Sequence, residues 1–277
     1  AEMETPPITG EARPEVSGPM HSPHHHHAGS FEQSLQLTNY AANAKLFPNF
    51  PLKKQQDQIS CGPTAASMFL GYYGISAGIG PLKTQAGTRW FQWGNTSFGM
   101  TFPDGLANAI GAYGVYVSKV RGSTQDIKVF IDGHKPVILL VRSGAWSWHY
   151  VVAIGYDNKS STFVIADPGN GQAWCISEEA LAGAMRFSHD LQGNYIPDTP
   201  CGGCKGSGKL WTYCGGCGGS GWWENALGKT KCGACGGVGK WSAHCPACLG
   251  RGSFGDPARK LVESAGVQGG TMLVPGR

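Results

Sequence analysis

Apolar side chains recur at helical spacing over residues 62–73, with Ala65, Ala66, Met68, Phe69, Tyr72 and Tyr73 as the buried positions and Gly74 as the stop. A second helix is predicted over residues 104–113, begun after Pro103 and ended by Gly114. Ser123 caps a third, which runs to about Asp132 and stops at Gly133. β-branched runs then predict strands at 115–120, 137–141, 150–156 and 162–166, the last two joined by the turn Asp157-Asn158-Lys159-Ser160. Ser177-Glu178-Glu179 opens a further helix, its acidic side chains complementing the N-terminal dipole. Helices first and meandering strands second predict an α+β fold. The longest aliphatic run, Val137-Ile138-Leu139-Leu140-Val141, is far below the roughly 20 residues of a membrane-spanning helix.

From Pro200 this patterning disappears. Residues 201–252 hold sixteen Gly and eight Cys and almost no aliphatic core, so the segment needs staples to fold. It is a fourfold repeat: Cys201-Gly-Gly-Cys204, Cys214-Gly-Gly-Cys217, Cys232-Gly-Ala-Cys235 and Cys245-Pro-Ala-Cys248, each followed by a Gly-rich stretch. Two Cys three apart on a tight turn direct both sulfurs to one cation, and the glycines let backbone N–H groups fold back onto the thiolates. Both halves of the repeat are offset by 13 residues, as in an antiparallel ribbon. The first pair should therefore join the fourth (Cys201, Cys204, Cys245, Cys248) and the second the third (Cys214, Cys217, Cys232, Cys235). Two structural Cys₄ zinc sites are expected, with four disulfides or iron–sulfur ligation as the alternatives. The repeats resemble the cysteine-rich zinc domain of DnaJ-type co-chaperones, which implies the same nested pairing and a role in contacting polypeptides. No His-Pro-Asp tripeptide is present, so co-chaperone activity is not carried over.

The net charge of +4 is uneven: residues 1–30 carry −3, residues 31–198 carry +1 and residues 199–277 carry +6. Trp211, Tyr213, Trp222, Trp223 and Trp241 interleave with lysines in the basic quarter. Such a surface can stack nucleic-acid bases, though aromatics that cover a thin ribbon are the expected reading.

Cys61 stands at the start of the first predicted helix, where the positive end of the helix dipole favours a thiolate. His149 begins an apolar strand, and the next strand ends at Asp167 before Pro168-Gly169. Pairing of those strands would bring His149 and Asp167 to one end of a sheet, and a helix on that sheet could add Cys61. The result is a Cys–His–carboxylate arrangement for nucleophilic catalysis. The segments around Gln55 to Met68, Trp148 to Asp157 and Val164 to Gly169 resemble papain-like peptidases related to the bacteriocin-processing, double-glycine peptidases. That resemblance implies a papain-like domain with Cys61 as nucleophile, His149 as base and later acid, Asp167 as the orienting group and Gln55 as an oxyanion donor. Processing peptidases of this group are commonly fused to a membrane transporter, so cleavage after Gly-Gly is not carried over. Gly269-Gly270 loosely resembles the end of a double-glycine leader, and chance explains it better in so glycine-rich a chain. Cys175 is expected to be a small apolar residue, and His134, His189 and His244 surface or turn residues.

These readings divide the chain into an extended arm (1–30) with a four-histidine run at 24–27, a peptidase-like domain (31–198), a zinc-stapled ribbon (199–253) and a C-terminal tail (254–277). A thiol peptidase or amidase acting on peptide or protein substrates leads, with the ribbon docking substrate or partner. A non-catalytic peptide-binding or self-assembling protein is the alternative, and nucleic-acid binding by the basic zinc module a second one. The arm is the place where a homo-oligomer would assemble. The lack of an initiator Met and the Pro-rich arm lean towards an extracytoplasmic location, whereas reduced thiols lean towards the cytoplasm.

Overall fold

The computed structural model describes residues 44–226 and 228–276. The arm, its histidine run and the assembly expected of it lie outside the described residues.

Strand β1 (Ala44–Leu46) leads to helix α1 (Cys61–Tyr72), α2 (Ile79–Gln85), the hairpin β2 (Arg89–Trp93) and β3 (Thr96–Met100), and α3 (Pro103–Gly111). Strand β4 (Val117–Arg121) and α4 (Thr124–Asp132) follow, then the meander β5 (Val137–Gly144), β6 (Ser147–Asp157), β7 (Thr162–Asp167) and β8 (Gln172–Ser177), closed by α5 (Glu178–Met185). α1 is buried without a break from Gly62 to Leu70, which explains its lack of a polar stripe: it lies against β6 inside the core. α4 begins where Asp126 accepts hydrogen bonds from both the backbone N–H and the hydroxyl of Ser123. Ser177 caps α5 by accepting from the Ala180 N–H.

The strands β5, β6 and β7 are apolar on both faces because helices or loops cover both sides. They form the middle of a seven-stranded sheet in which every pair is antiparallel. β1 continues the β5 edge along the far half of β6, crossing at Gly155, where a side chain would meet the Lys45 carbonyl at 2.6 Å.

The segment expected as a tail is a correction. After the ribbon the chain forms α6 (Pro257–Ser264) and β13 (Thr271–Pro275), and β13 lies between β4 and β5 in the main sheet. Met272, Leu273 and Val274 are buried there, a fully covered strand too short for alternation to reveal. The cysteine-rich module is therefore inserted into the α+β domain and does not simply follow it. Gly270 is buried just before β13, donating its N–H to the Met185 carbonyl, so the Gly269-Gly270 pair forms the turn that leads into the sheet.

The insert is a nested ribbon. β9 (Lys209–Tyr213) pairs with β12 (Lys240–His244), and β10 (Trp222–Asn225) pairs with β11 (Gly228–Lys231). Its strands are exposed throughout, so among its described residues the two cysteine clusters are the buried groups of apolar character. Trp211, Tyr213, Trp223 and Trp241 stay exposed; Lys240 stacks over Trp211 at 4.8 Å, and Lys229 lies 5.9 Å from the Trp222 ring.

Candidate active site and metal centres

The sheet register brings the first two polar groups together. Val152 pairs with Ala166, so Asp167 continues opposite Val151, two residues from His149 and on the same face. The His149 Nε2 lies 2.6 Å from Asp167 Oδ1, leaving Nδ1 as the ring nitrogen that can serve the third group. That group is Cys61, the first residue of α1, whose thiol lies near enough to the imidazole to help raise its basicity. His149 and Asp167 are buried, whereas Cys61 is only partly covered and can be reached from solvent. The nucleophile, base and orienting group read from the sequence thus meet at one place.

Two residues that sequence reasoning missed hold the carboxylate. The Gly169 N–H donates to Asp167 Oδ1 at 2.8 Å, and the Trp174 indole N–H donates to Oδ2 at 3.0 Å. Trp174 faces Ile165 across β7 and β8, which puts it diagonal to Asp167 on one face. A tryptophan two strand positions from a turn carries no such signal in sequence; only the pairing register reveals it.

Burial by itself would depress the imidazole, but the Asp167 charge and hydrogen bond, with the Cys61 contact, outweigh it and raise His149. Burial would likewise raise Asp167, yet His149 and the Gly169 and Trp174 donors hold it low. Both directions favour an imidazolium–carboxylate pair. A raised base contributes stability below its unfolded value and loses it as pH climbs through the folded one. A depressed acid contributes above its unfolded value and loses it as pH falls through the folded one. The pair's contribution is therefore expected to be full between about pH 4 and 6.5 and to decline on either side. Melting temperatures of the wild type and His149→Phe, compared across pH, measure it: the gap should be widest in that window, and a gap that ignores pH would contradict the ion pair.

Gln55 lies on the segment that leads to Cys61. Its backbone N–H donates to the Pro168 carbonyl at 2.8 Å, which ties the segment before Cys61 to the Asp167 turn. Its side-chain Nε2 donates to the Asp57 carbonyl at 2.8 Å, so one of two amide hydrogens remains to donate elsewhere. Gln56 and Gln58 are exposed. Asp57 organises this loop: its carboxylate accepts from the Ile59 N–H and the Ser60 hydroxyl and pairs with Lys83 at 2.5 Å. No side chain caps α1, so the N–H groups of its first turn stay available beside the thiol.

The eight cysteines of the insert form the two expected sets. Cys201, Cys204, Cys245 and Cys248 make one cluster and Cys214, Cys217, Cys232 and Cys235 the other, with all four sulfurs of each within 4.8 Å of one another. Facing sulfurs are 3.8 Å apart in the first cluster, and 3.9 and 3.7 Å apart in the second. A tetrahedron with metal–sulfur bonds of about 2.3 Å has edges of about 3.8 Å, so both clusters fit a structural zinc ion, and the disulfide alternative is excluded. The last glycine of each repeat (Gly208, Gly221, Gly239, Gly252) donates its N–H to a cluster sulfur at 3.2–3.3 Å. Each has φ between +72° and +80°, and a side chain there would meet a backbone carbonyl at 2.3–2.4 Å, which fixes glycine at these positions. His244 is exposed on β12 and is not among the ligands. Cys175 is partly buried, and desolvation pushes its thiol up to about 11, the reverse of a reactive group.

Comparison with known proteins places the α+β domain. Residues 47–185, half of the chain, match the model of the Peptidase_C39 like family. Among solved structures, the peptidase domain of Streptococcus ComA, a bifunctional ABC transporter of a quorum-sensing pathway, aligns at 22% identity and a TM-score of 0.42, covering 49% of this chain and 92% of that one. A candidate C39-like peptidase from Bacillus anthracis aligns at 17% identity and a TM-score of 0.43, covering 52% and 92%. A double glycine motif protease from an AMS/PCAT transporter, solved with its leader peptide, aligns at 18% identity and a TM-score of 0.36, covering 49% and 87%. No curated protein matches the chain. No helix among the described residues is long and apolar enough to cross a membrane.

Proposed function

The chain belongs to the Peptidase_C39 like family, and on that premise we propose that it is a thiol peptidase or amidase acting on peptide or protein substrates. The observation that carries this reading is the meeting of Cys61, His149 and Asp167 from three separate elements, with the sulfur accessible and the imidazole anchored on its far side.

The imidazolium holds the proton of the Cys61 thiol on Nδ1, and the thiolate sulfur attacks the substrate carbonyl carbon to form a C–S bond. The carbonyl electrons move to oxygen, which receives the Cys61 backbone N–H and the spare Gln55 amide hydrogen. His149 then returns its proton to the leaving nitrogen, the C–N bond breaks, and a thioester on Cys61 remains. Water, deprotonated by His149, attacks that thioester; the C–S bond breaks, releasing the acid and restoring the thiol with the proton from the imidazole. Another amine in place of water would give transpeptidation by the same steps.

An apolar groove lined by Phe91, Phe98, Met100, Phe102, Leu261 and Val262 opens between the β2–β3 hairpin and α6. The strand that lines it continues from Met100 into Thr101, whose side chain abuts Gly62 next to the nucleophile. An apolar substrate side chain fits this groove.

A thiol-directed activity probe should label the wild type, and the label should disappear in Cys61→Ala and fall strongly in His149→Ala. Labelling retained at full level in Cys61→Ala overturns the assignment.

A further inference from the structure

Among the described residues Arg142 is the largest fully buried side chain, 1% exposed, on the face of β5 opposite His149's side of the sheet. Its guanidinium stacks on Trp148, the residue before His149, at 5.1 Å from the ring. Its donors hold the turn between β5 and β6 through the carbonyls of Gly144 (3.1 Å) and Ala145 (2.6 Å), and reach the Phe187 carbonyl at 2.8 Å. Its counter-ion comes from far along the chain: Asp256 takes both terminal nitrogens in a bidentate pair and also caps α6 by accepting from the Arg259 N–H at 3.0 Å. No other carboxylate pairs with Arg142 among the described residues.

Asp256 is placed by the stem of the cysteine-rich insert. Pro200 bridges Ser253, the Thr199 N–H donates to the Gly255 carbonyl, the Phe254 N–H donates to the Thr199 carbonyl, and the Cys201 N–H donates to the Gly252 carbonyl. Cys201 and Cys248 of the stem-proximal cluster adjoin these contacts, while the Cys214, Cys217, Cys232 and Cys235 cluster sits beyond the β9–β12 ladder, between it and the β10–β11 hairpin. Past Asp256 the same chain goes on to β13, the strand beside β5.

We infer that Asp256 and Arg142 are a positioning pair for the His149 hairpin, set by the stem-proximal cysteine cluster. With that cluster closed around its metal, the stem delivers Asp256 to Arg142, and Arg142 fixes the β5–β6 turn and Trp148 beneath the catalytic strand. With the cluster open, Arg142 becomes an unpaired buried charge, and the cheapest relief is to loosen that turn. The consequence for catalysis rests on the peptidase reading; the consequence for the hairpin does not.

The test uses the full metal-loaded chain and three variants. Amide hydrogen exchange over residues 138–152 should quicken by about tenfold or more in Asp256→Asn and in Cys245→Ser/Cys248→Ser, and stay within about twofold of wild type in the distal Cys232→Ser/Cys235→Ser. Asp256→Glu, which keeps the charge, should recover most of the protection and most of the Cys61 labelling rate. Equal exchange in the proximal and distal cysteine variants, or wild-type exchange in Asp256→Asn, overturns the inference. Should the proximal cysteine variant fail to fold, Asp256→Asn with all eight ligands intact decides alone. A wild type that Cys61 probes do not label would remove the peptidase reading and leave the exchange result standing.

Discussion

Asp167→Asn is expected to lower kcat/KM on a cleavable peptide by about ten-thousand-fold while the protein stays folded. The carboxylate accepts from three donors at once: the imidazole Nε2–H, the Gly169 N–H and the Trp174 indole N–H. A carboxamide has one acceptor oxygen and one donor nitrogen. Its NH₂ facing His149 would force the ring proton onto Nδ1, the nitrogen that has to receive the thiol proton, and the base would be spent before the reaction began. Its NH₂ facing Trp174 or Gly169 would instead set donor against donor. Steady-state kinetics should show the loss chiefly in kcat, because Asp167 is buried behind the imidazole. A drop of less than about tenfold would mean that the imidazole is oriented by something else.

Metal removal is expected to unfold the insert outright. Elemental analysis of the purified chain should give about two zinc ions, and structural sites of this ligand set hold them with roughly 10–16 kcal/mol, more than a ribbon of exposed strands can supply for itself. Chelation under reducing conditions should therefore make residues 201–252 protease-sensitive and change the emission of Trp211, Trp222, Trp223 and Trp241, which lie on the ribbon's strands. Acidification should do the same, since the thiolates must lose the metal to take up protons. A chelated chain whose ribbon resists proteolysis would show that the strands, not the clusters, hold it together.

Much of this was legible before the structure. The cysteine spacing specifies both clusters and their nesting, because a C-x-x-C turn and its glycines admit few other geometries. The strand ending at Asp167 and the strand opening at His149 imply their own meeting, since a hairpin leaves only a small choice of register. Three things escaped for physical reasons. β13 is five residues long and buried on both faces, so it shows neither alternation nor length, and what makes it a strand is β4 and β5 on either side. The β2–β3 hairpin interrupts its aromatic pattern with polar residues, and its stability rests on Phe91 and Phe98 stacking across the pair. The Arg142–Asp256 pair joins residues 114 positions apart, and nothing local to either one announces the other.

The placement of β13 also sets an order of events during synthesis. The strand that fills the gap between β4 and β5 is made after Cys61, His149 and Asp167 and after both clusters. A ribosome that stalls anywhere in the ribbon releases a polypeptide that holds all three reactive side chains but has an open seam through its sheet. Such a fragment would leave the facing edges of β4 and β5 unpaired.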